Sequence, residues 1–253
     1  MDDATLAARQ LRSQREMYRA MGSASPGARV VEADGGVLAA VVPARPDRSV
    51  VNAAVYEDGA ALVAARDTLA AAYAEAGVFA WTVWTRPGDE EVPRALAAAG
   101  HRHDGQPMLM AAPIEEIDLE PRRELELEPA PAWVDAARIN DACYGQDPLD
   151  SFAEAFGAFD ARLYVARLDG EPVACAGARW HEGDCGIYFV ATLAQARGRG
   201  LAGELLRTAL RDARAAGCET TSLEATAVGA PLYERLGYRP LGRLGMWELR
   251  TRV

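Results

Sequence analysis

The stretch from Tyr188 to Ala202 passes from an apolar run through Gln195-Ala196-Arg197-Gly198-Arg199-Gly200 into a helical pattern that opens at Leu201 and Ala202. A turn of this kind aims several backbone N–H groups at one point, and the dipole of the following helix adds positive potential there. Glycines at 198 and 200 let an anion come close to the backbone. Arg197 and Arg199 add positive charge for phosphate. On physical grounds the segment calls for a phosphate-bearing ligand at a helix N-terminus, without saying which. It lacks the Gly-Lys-Ser/Thr of a nucleotide P-loop and the spacing of a dinucleotide G-x-G-x-x-G loop.

Regular elements must hold such a loop in place, and the hydropathy pattern supplies them. In the second half, helices are predicted over about 132–143 and 149–158. Strands at 163–167 and 172–179 flank Asp169-Gly170, a dipeptide suited to a hairpin because both turn residues need positive φ. A strand at 186–192, a helix at 199–216, a strand at 221–225, a short helix at 231–236 and strands near Tyr238 and Met246–Leu249 complete it. Leu201, Leu205, Ala209 and Ala213 would line the inner face of the helix, with Glu204, Arg207, Arg211 and Arg214 outside. The first half runs in the same order. A helix at 4–20 precedes a hairpin at Asp34-Gly35, an apolar run at 50–55 and a helix at 60–76. A strand at 79–84 holds Trp81 and Trp84, expected in the core. A helix at 90–99 and short strands near His101 and Met108–Ala111 follow. Asp34-Gly35, Gly77 and Gly100 recur as Asp169-Gly170, Gly217 and Gly237 at offsets of 135 to 140. That suggests a tandem duplication, against two unrelated α/β halves. Between them, the alternation Glu124-Leu125-Glu126-Leu127-Glu128 reads as a half-buried strand, and the boundary falls near Asp118.

The chain has 253 residues, half of them hydrophobic, enough for one large domain or two small ones. No run matches the length of a membrane span, and the acidic start Met1-Asp2-Asp3 is unlike a secretory signal, so a cytoplasmic protein is expected. The net charge is −10, from 17 acids and 11 arginines up to Asp118 and 20 acids and 16 arginines after it. Neither part has the charge of a nucleic-acid binder. There is no lysine. Cys143, Cys175, Cys185 and Cys218 form no C-x-x-C pair and histidines number three, so reduced, mostly buried thiols and no metal site are expected.

Gln195-x-x-Gly198-x-Gly200 resembles the Q/R-x-x-G-x-G/A pyrophosphate loop of the GNAT superfamily of N-acetyltransferases. Val190-Ala191-Thr192 is similar to that family's V-x-V/T strand end, and Leu232-Tyr233-Glu234-Arg235-Leu236-Gly237-Tyr238 to its L-Y-x-x-x-G-F/Y segment. The resemblance covers about 122–250. It implies acetyl-CoA as co-substrate, with loop N–H groups around 195–200, the helix start at Leu201 and Ala202, and the backbone of Val190 and Thr192 holding pyrophosphate and pantetheine. Tyr233 would return a proton to the leaving thiolate, since a phenol and an alkyl thiol have comparable pKa values. The amine acceptor must lose a proton. Glu224 is the first candidate to take it, with Asp184 and His181 as alternatives. Thr226 stands where many members have an asparagine seven residues before the tyrosine.

The first half lacks these features. Val55-Tyr56-Glu57-Asp58-Gly59-Ala60 is shorter than the loop it would match and places two acids where the ligand is anionic. Leu96 stands where Tyr233 would fall. The expectation is therefore two tandem GNAT-like α/β domains, each a mixed, mostly antiparallel sheet flanked by helices. Residues 1–118 would be degenerate and non-catalytic, and 119–253 would transfer acetyl groups to a primary amine of a small molecule. The segment 144–150, with two acids, would cover the acceptor. A homodimer is left open. A non-catalytic acyl-CoA-binding or sensing module, or a purely structural α/β protein, are the rival readings.

Overall fold

The computed structural model describes residues 1–128, 131–144 and 161–252. Along the chain run α1 (Asp3–Met21), β1 (Arg29–Ala33), β2 (Val37–Val41), β3 (Ala53–Val55), α2 (Gly59–Glu75), β4 (Ala80–Thr85), α3 (Glu91–Ala98), β5 (Arg102–Gly105) and β6 (Met108–Pro113). They are followed by β7 (Glu126–Leu127), α4 (Trp133–Tyr144), β8 (Arg162–Leu168), β9 (Glu171–His181), β10 (Asp184–Thr192), α5 (Leu201–Ala215), β11 (Thr220–Ala225), α6 (Ala230–Leu236), β12 (Arg239–Arg243) and β13 (Gly245–Arg250). The helix expected at 149–158 and the segment 145–150 lie outside the described residues.

The strands form two sheets, ordered β1-β2-β3-β4-β13-β5 and β12-β6-β11-β10-β9-β8-β7. Both are mixed and mostly antiparallel, with parallel pairing between β3 and β4 and between β10 and β11. The expected division at residue 118 follows chain order, whereas the contacts do not. One compact unit holds Gln14–Leu109, Ala225–Val228 and Leu241–Val253, the other Met1–Ser13, Met110–Glu224 and Gly229–Pro240. The last strand of each half lies in the sheet built by the other half: β13 runs between β4 and β5, and β6 between β11 and β12.

In the six-stranded unit, α2 and α3 bury Leu62, Leu69, Tyr73, Val92 and Leu96 against small and branched sheet residues such as Ala39, Val41 and Val83. Trp81 is part of this core, stacked on Tyr73 with ring centroids 4.6 Å apart and edge-on to His101 at 4.7 Å. Trp84 is buried too. The β1–β2 turn differs from expectation. Its left-handed residues are Gly35 and Gly36, one place later than Asp34-Gly35, because a second glycine takes positive φ without a Cβ penalty. At the β8–β9 turn no second glycine follows, and Asp169 and Gly170 both have positive φ, as a type I′ hairpin needs.

In the seven-stranded unit, α5 buries Leu205, Leu206, Ala209, Leu210 and Ala213, and α4 packs Ala136 and Ile139 on Val165, Cys175 and Ala191. Two expectations fail here. The strand at 124–128 shrinks to Glu126 and Leu127, both exposed, because β7 ends its sheet and pairs on one side only. Glu204, expected on the outer face of α5, is 2% exposed. The segment after Asp118 crosses that face: Arg122 N–H donates to Glu204 Oε1 at 3.0 Å, and Arg207 and Arg211 donate to the carbonyls of Asp118 and Leu119.

Candidate active site

The loop before α5 is built in two parts. Ala194–Ala196 form a 3-10 turn. In it the N–H groups of Ala196 and Arg197 donate to Leu193 and Ala194 carbonyls at 2.9 and 3.3 Å, which removes two of the donors expected for an anion. Gly198 and Gly200 then both take φ of 75°. Gly200 is the N-cap of α5, and among the described residues no side chain caps the helix. The first turn closes with Glu204 N–H on the Gly200 carbonyl at 3.2 Å, so the N–H groups of Leu201, Ala202 and Gly203 precede any acceptor within the helix. Among the described residues nothing stands within 4 Å of where a Gly198 Cβ would be. The result is a helix start whose donors and dipole face outward, fitted to an anion.

β10 leads into this loop and is distorted. Its register against β9 shifts between Tyr188 and Ala191, and Phe189 has φ of 53°, a conformation that costs a non-glycine residue roughly 1–2 kcal/mol. Parallel pairing of β10 with β11 covers Asp184–Gly186 against Thr220–Ser222, leaving the later part of β10 without a strand partner on that side among the described residues. The carbonyls expected to meet a pantetheine arm are met by side chains instead. Arg197 Nε donates to the Thr192 carbonyl at 3.0 Å and Cys143 Sγ at 3.3 Å, while Tyr144 Oη lies 3.5 Å from the Val190 carbonyl.

Tyr233 stands on α6, whose helix ends at Gly237 with φ of 110°. Its ring is buried and meets Tyr238 edge-on at 5.7 Å. Burial first, then Tyr144 and Glu224, push its pKa up, so the phenol keeps its proton at neutral pH. Glu224 lies near the end of β11 and is partly buried. Gln10 Nε2 donates to its Oε1 at 2.5 Å. Burial pushes the Glu224 pKa up to about 7. The Gln10 bond opposes that shift, and Asp184 adds to it. A carboxyl titrating near neutrality is suited to accept a proton from an amine.

Residues 123–238 match the Acetyltransferase (GNAT) family. This part of the chain is a GNAT acetyltransferase domain. Solved structures agree on the fold. A GCN5-related N-acetyltransferase from Kribbella flavida aligns over 96% of this chain and 95% of its own, with a TM-score of 0.71 at 22% identity. One from Sphaerobacter thermophilus aligns over 88% and 83%, with a TM-score of 0.57 at 16% identity. A tandem GNAT protein from the clavulanic acid biosynthesis pathway aligns over 90% and 82%, with a TM-score of 0.54 at 14% identity. No curated protein sequence matches the chain. The GNAT family transfers acetyl groups from acetyl-CoA.

Within the GNAT domain, the two other base candidates are placed differently from Glu224. Asp184 is 2% exposed and accepts hydrogen bonds from Thr220 Oγ1 at 2.8 Å and Ser222 Oγ at 2.6 Å. Burial raises its pKa, and its oxygens are taken up in joining β10 to β11. His181 ends β9 and lies 3.8 Å from the exposed Glu182. Two contributors went unread in the sequence. Gln10 comes from α1, far outside 123–238, and a glutamine in an amphipathic helix carries no local signal. Arg123, just before β7, sets its guanidinium 3.6–3.7 Å from where a Gly200 Cβ would stand. It adds a cation beside the loop that Arg199 already borders.

The matching helix start in the six-stranded unit is closed. Asp58 caps α2, its carboxylate accepting from the N–H groups of Ala60 and Ala61 at 2.8 and 3.2 Å. A fixed negative charge fills the place an anion would take. Leu96 is a buried core residue with no hydroxyl. Among the described residues no helix is long and apolar enough to cross a membrane, and no His, Cys, Asp and Glu side chains group to hold a metal.

Proposed function

We propose that the chain transfers the acetyl group of acetyl-CoA to a primary amine of a small acceptor by direct attack, at one active site formed by the GNAT domain. The observation that carries this reading is the uncapped helix start at Gly200 beside the unpaired edge of β10. Acetyl-CoA supplies a thioester whose carbonyl carbon the amine attacks and whose thiolate leaves. The N–H groups of Gly198–Ala202, with Arg199 and Arg123 nearby, hold pyrophosphate. The Val190–Thr192 backbone aligns the pantetheine arm once Arg197, Cys143 and Tyr144 release its carbonyls. Glu224, ionised at and above neutral pH, takes the ammonium proton, and Tyr233 gives its proton to the thiolate. The six-stranded unit is non-catalytic, since Asp58 blocks its helix start and it lacks a tyrosine at 96. The test is thiol release from acetyl-CoA with a panel of primary amines. Release matched by acetylated amine supports the reading. Binding of acetyl-CoA without release on any amine replaces it with an acyl-CoA-binding module.

A further inference from the structure

The sheet face that carries Glu224 also carries Arg179, a charged side chain with no part in the reaction as proposed. Arg179 of β9 stands directly opposite Gly186 of β10, and Gly186 directly opposite Ser222 of β11. Paired residues point to the same face, and every second residue along a strand returns to it. Arg179, Gly186, Ser222 and Glu224 therefore share one face, with Arg179 two strand spacings, or about 10 Å, from Ser222. The bond from Ser222 Oγ to Asp184, itself paired with Thr220, agrees with that assignment.

Arg179 Nε and Nη1 are shut off from solvent and have no hydrogen-bond partner among the described residues. Other arginines of this unit are not in this condition: Arg162 stacks over Trp180 at 4.1 Å, and Arg207 pairs with Glu204 at 2.9 Å. A guanidinium with two buried, idle donors is unfavourable until an acceptor meets them. Between Arg179 and β11 the sheet is kept low by Gly186. A Cβ there would come 2.6 Å from the Tyr188 hydroxyl oxygen, so glycine lets that phenol lie in the lane leading toward Glu224.

We infer that Arg179 holds a carboxylate of the acceptor, so that the acceptor is an amino acid rather than a simple amine. A carboxylate offers the planar guanidinium two oxygens at once. Its amine is then turned toward Glu224. This rests on the acetyltransferase reading above. The experiment compares matched acceptors, phenylalanine with phenethylamine and lysine with cadaverine, by kcat/KM for acetylation. Wild-type protein should favour the carboxylated member of at least one pair by about tenfold or more. Arg179→Met should remove that preference by raising KM for the amino acid, leaving the simple amine within about twofold. Arg179→Lys should keep part of it, which separates lost charge from lost folding. Acetylation of amines with no preference in wild type, or a preference that survives Arg179→Met, overturns the inference alone. No acetylation of any amine overturns it together with the reading it rests on.

Discussion

The Gln10 side-chain amide donates to the Glu224 carboxylate at 2.5 Å, and Gln10 is 2% exposed. An N–H donor favours the charged form of a carboxylate. Here it opposes the burial that holds Glu224 near 7. Asp184 on β10 also raises the pKa of this group, Glu224 in turn raises that of Tyr233 on α6, and Arg9 of α1 acts on Asp184. Gln10→Leu should therefore raise the Glu224 pKa further and move the acidic limb of the kcat/KM–pH profile to higher pH. Activity should fall severalfold near neutrality and recover in alkali. A limb that stays in place would show that Gln10 is only a packing residue.

The same carboxyl links stability to pH. Glu224 titrates near 4.5 when unfolded and at about 7 when folded, so between these values the folded chain binds more protons. Its contribution is fully present below about 4.5 and is lost as pH rises toward 7. Glu224→Gln, which cannot ionise, should raise Tm relative to wild type at about pH 8, by the equivalent of no more than about 3 kcal/mol. Near pH 4.5 the difference should vanish. Melting curves at the two pH values decide it, and an equal effect at both would place the cause in packing.

Gly198 tests the anion site. Its φ of 75° penalises any side chain, yet the space around it is open. Gly198→Ala should cost roughly 1–2 kcal/mol of stability and weaken acetyl-CoA modestly. Gly198→Asp puts a carboxylate beside the pyrophosphate and should weaken binding by about 100-fold or more, seen by calorimetry. Equal affinities for the two variants would move the cofactor elsewhere.

Much of this was legible in the sequence because it is local. The Asp169-Gly170 hairpin, the apolar stripe of α5 and the glycines at 198 and 200 each follow from backbone or burial rules acting within a few residues. What escaped was tertiary. β6 and β13 read as strands from their apolar residues, and that reading does not encode which sheet receives them. Glu204 reads as a solvent-facing helix residue until the chain after Asp118 crosses over it. Phe189 has no local feature that calls for positive φ; the bulge it occupies depends on β9. Gln10 is a polar residue on a helix, and its role is set by a strand more than two hundred residues later.

Asp58 tests the six-stranded unit. As the N-cap of α2 it holds two backbone N–H groups. Asp58→Ala should cost about 1 kcal/mol and lower Tm by about 2–4 °C for a chain of this size. Acetyl-CoA affinity and turnover should not change. A gain in acetyl-CoA binding stoichiometry would show that this unit keeps a latent cofactor site.

The most direct test of the proposed chemistry is Tyr233→Phe, with acetyl-CoA affinity and turnover on the best acceptor measured side by side. The phenol is buried and protonated, and the change removes one oxygen while leaving the ring against Tyr238. The expected result is a dissociation constant within about twofold of wild type and a kcat lower by about 100-fold or more, the range for loss of a general acid. Unchanged kcat would contradict the account and remove Tyr233 from the reaction.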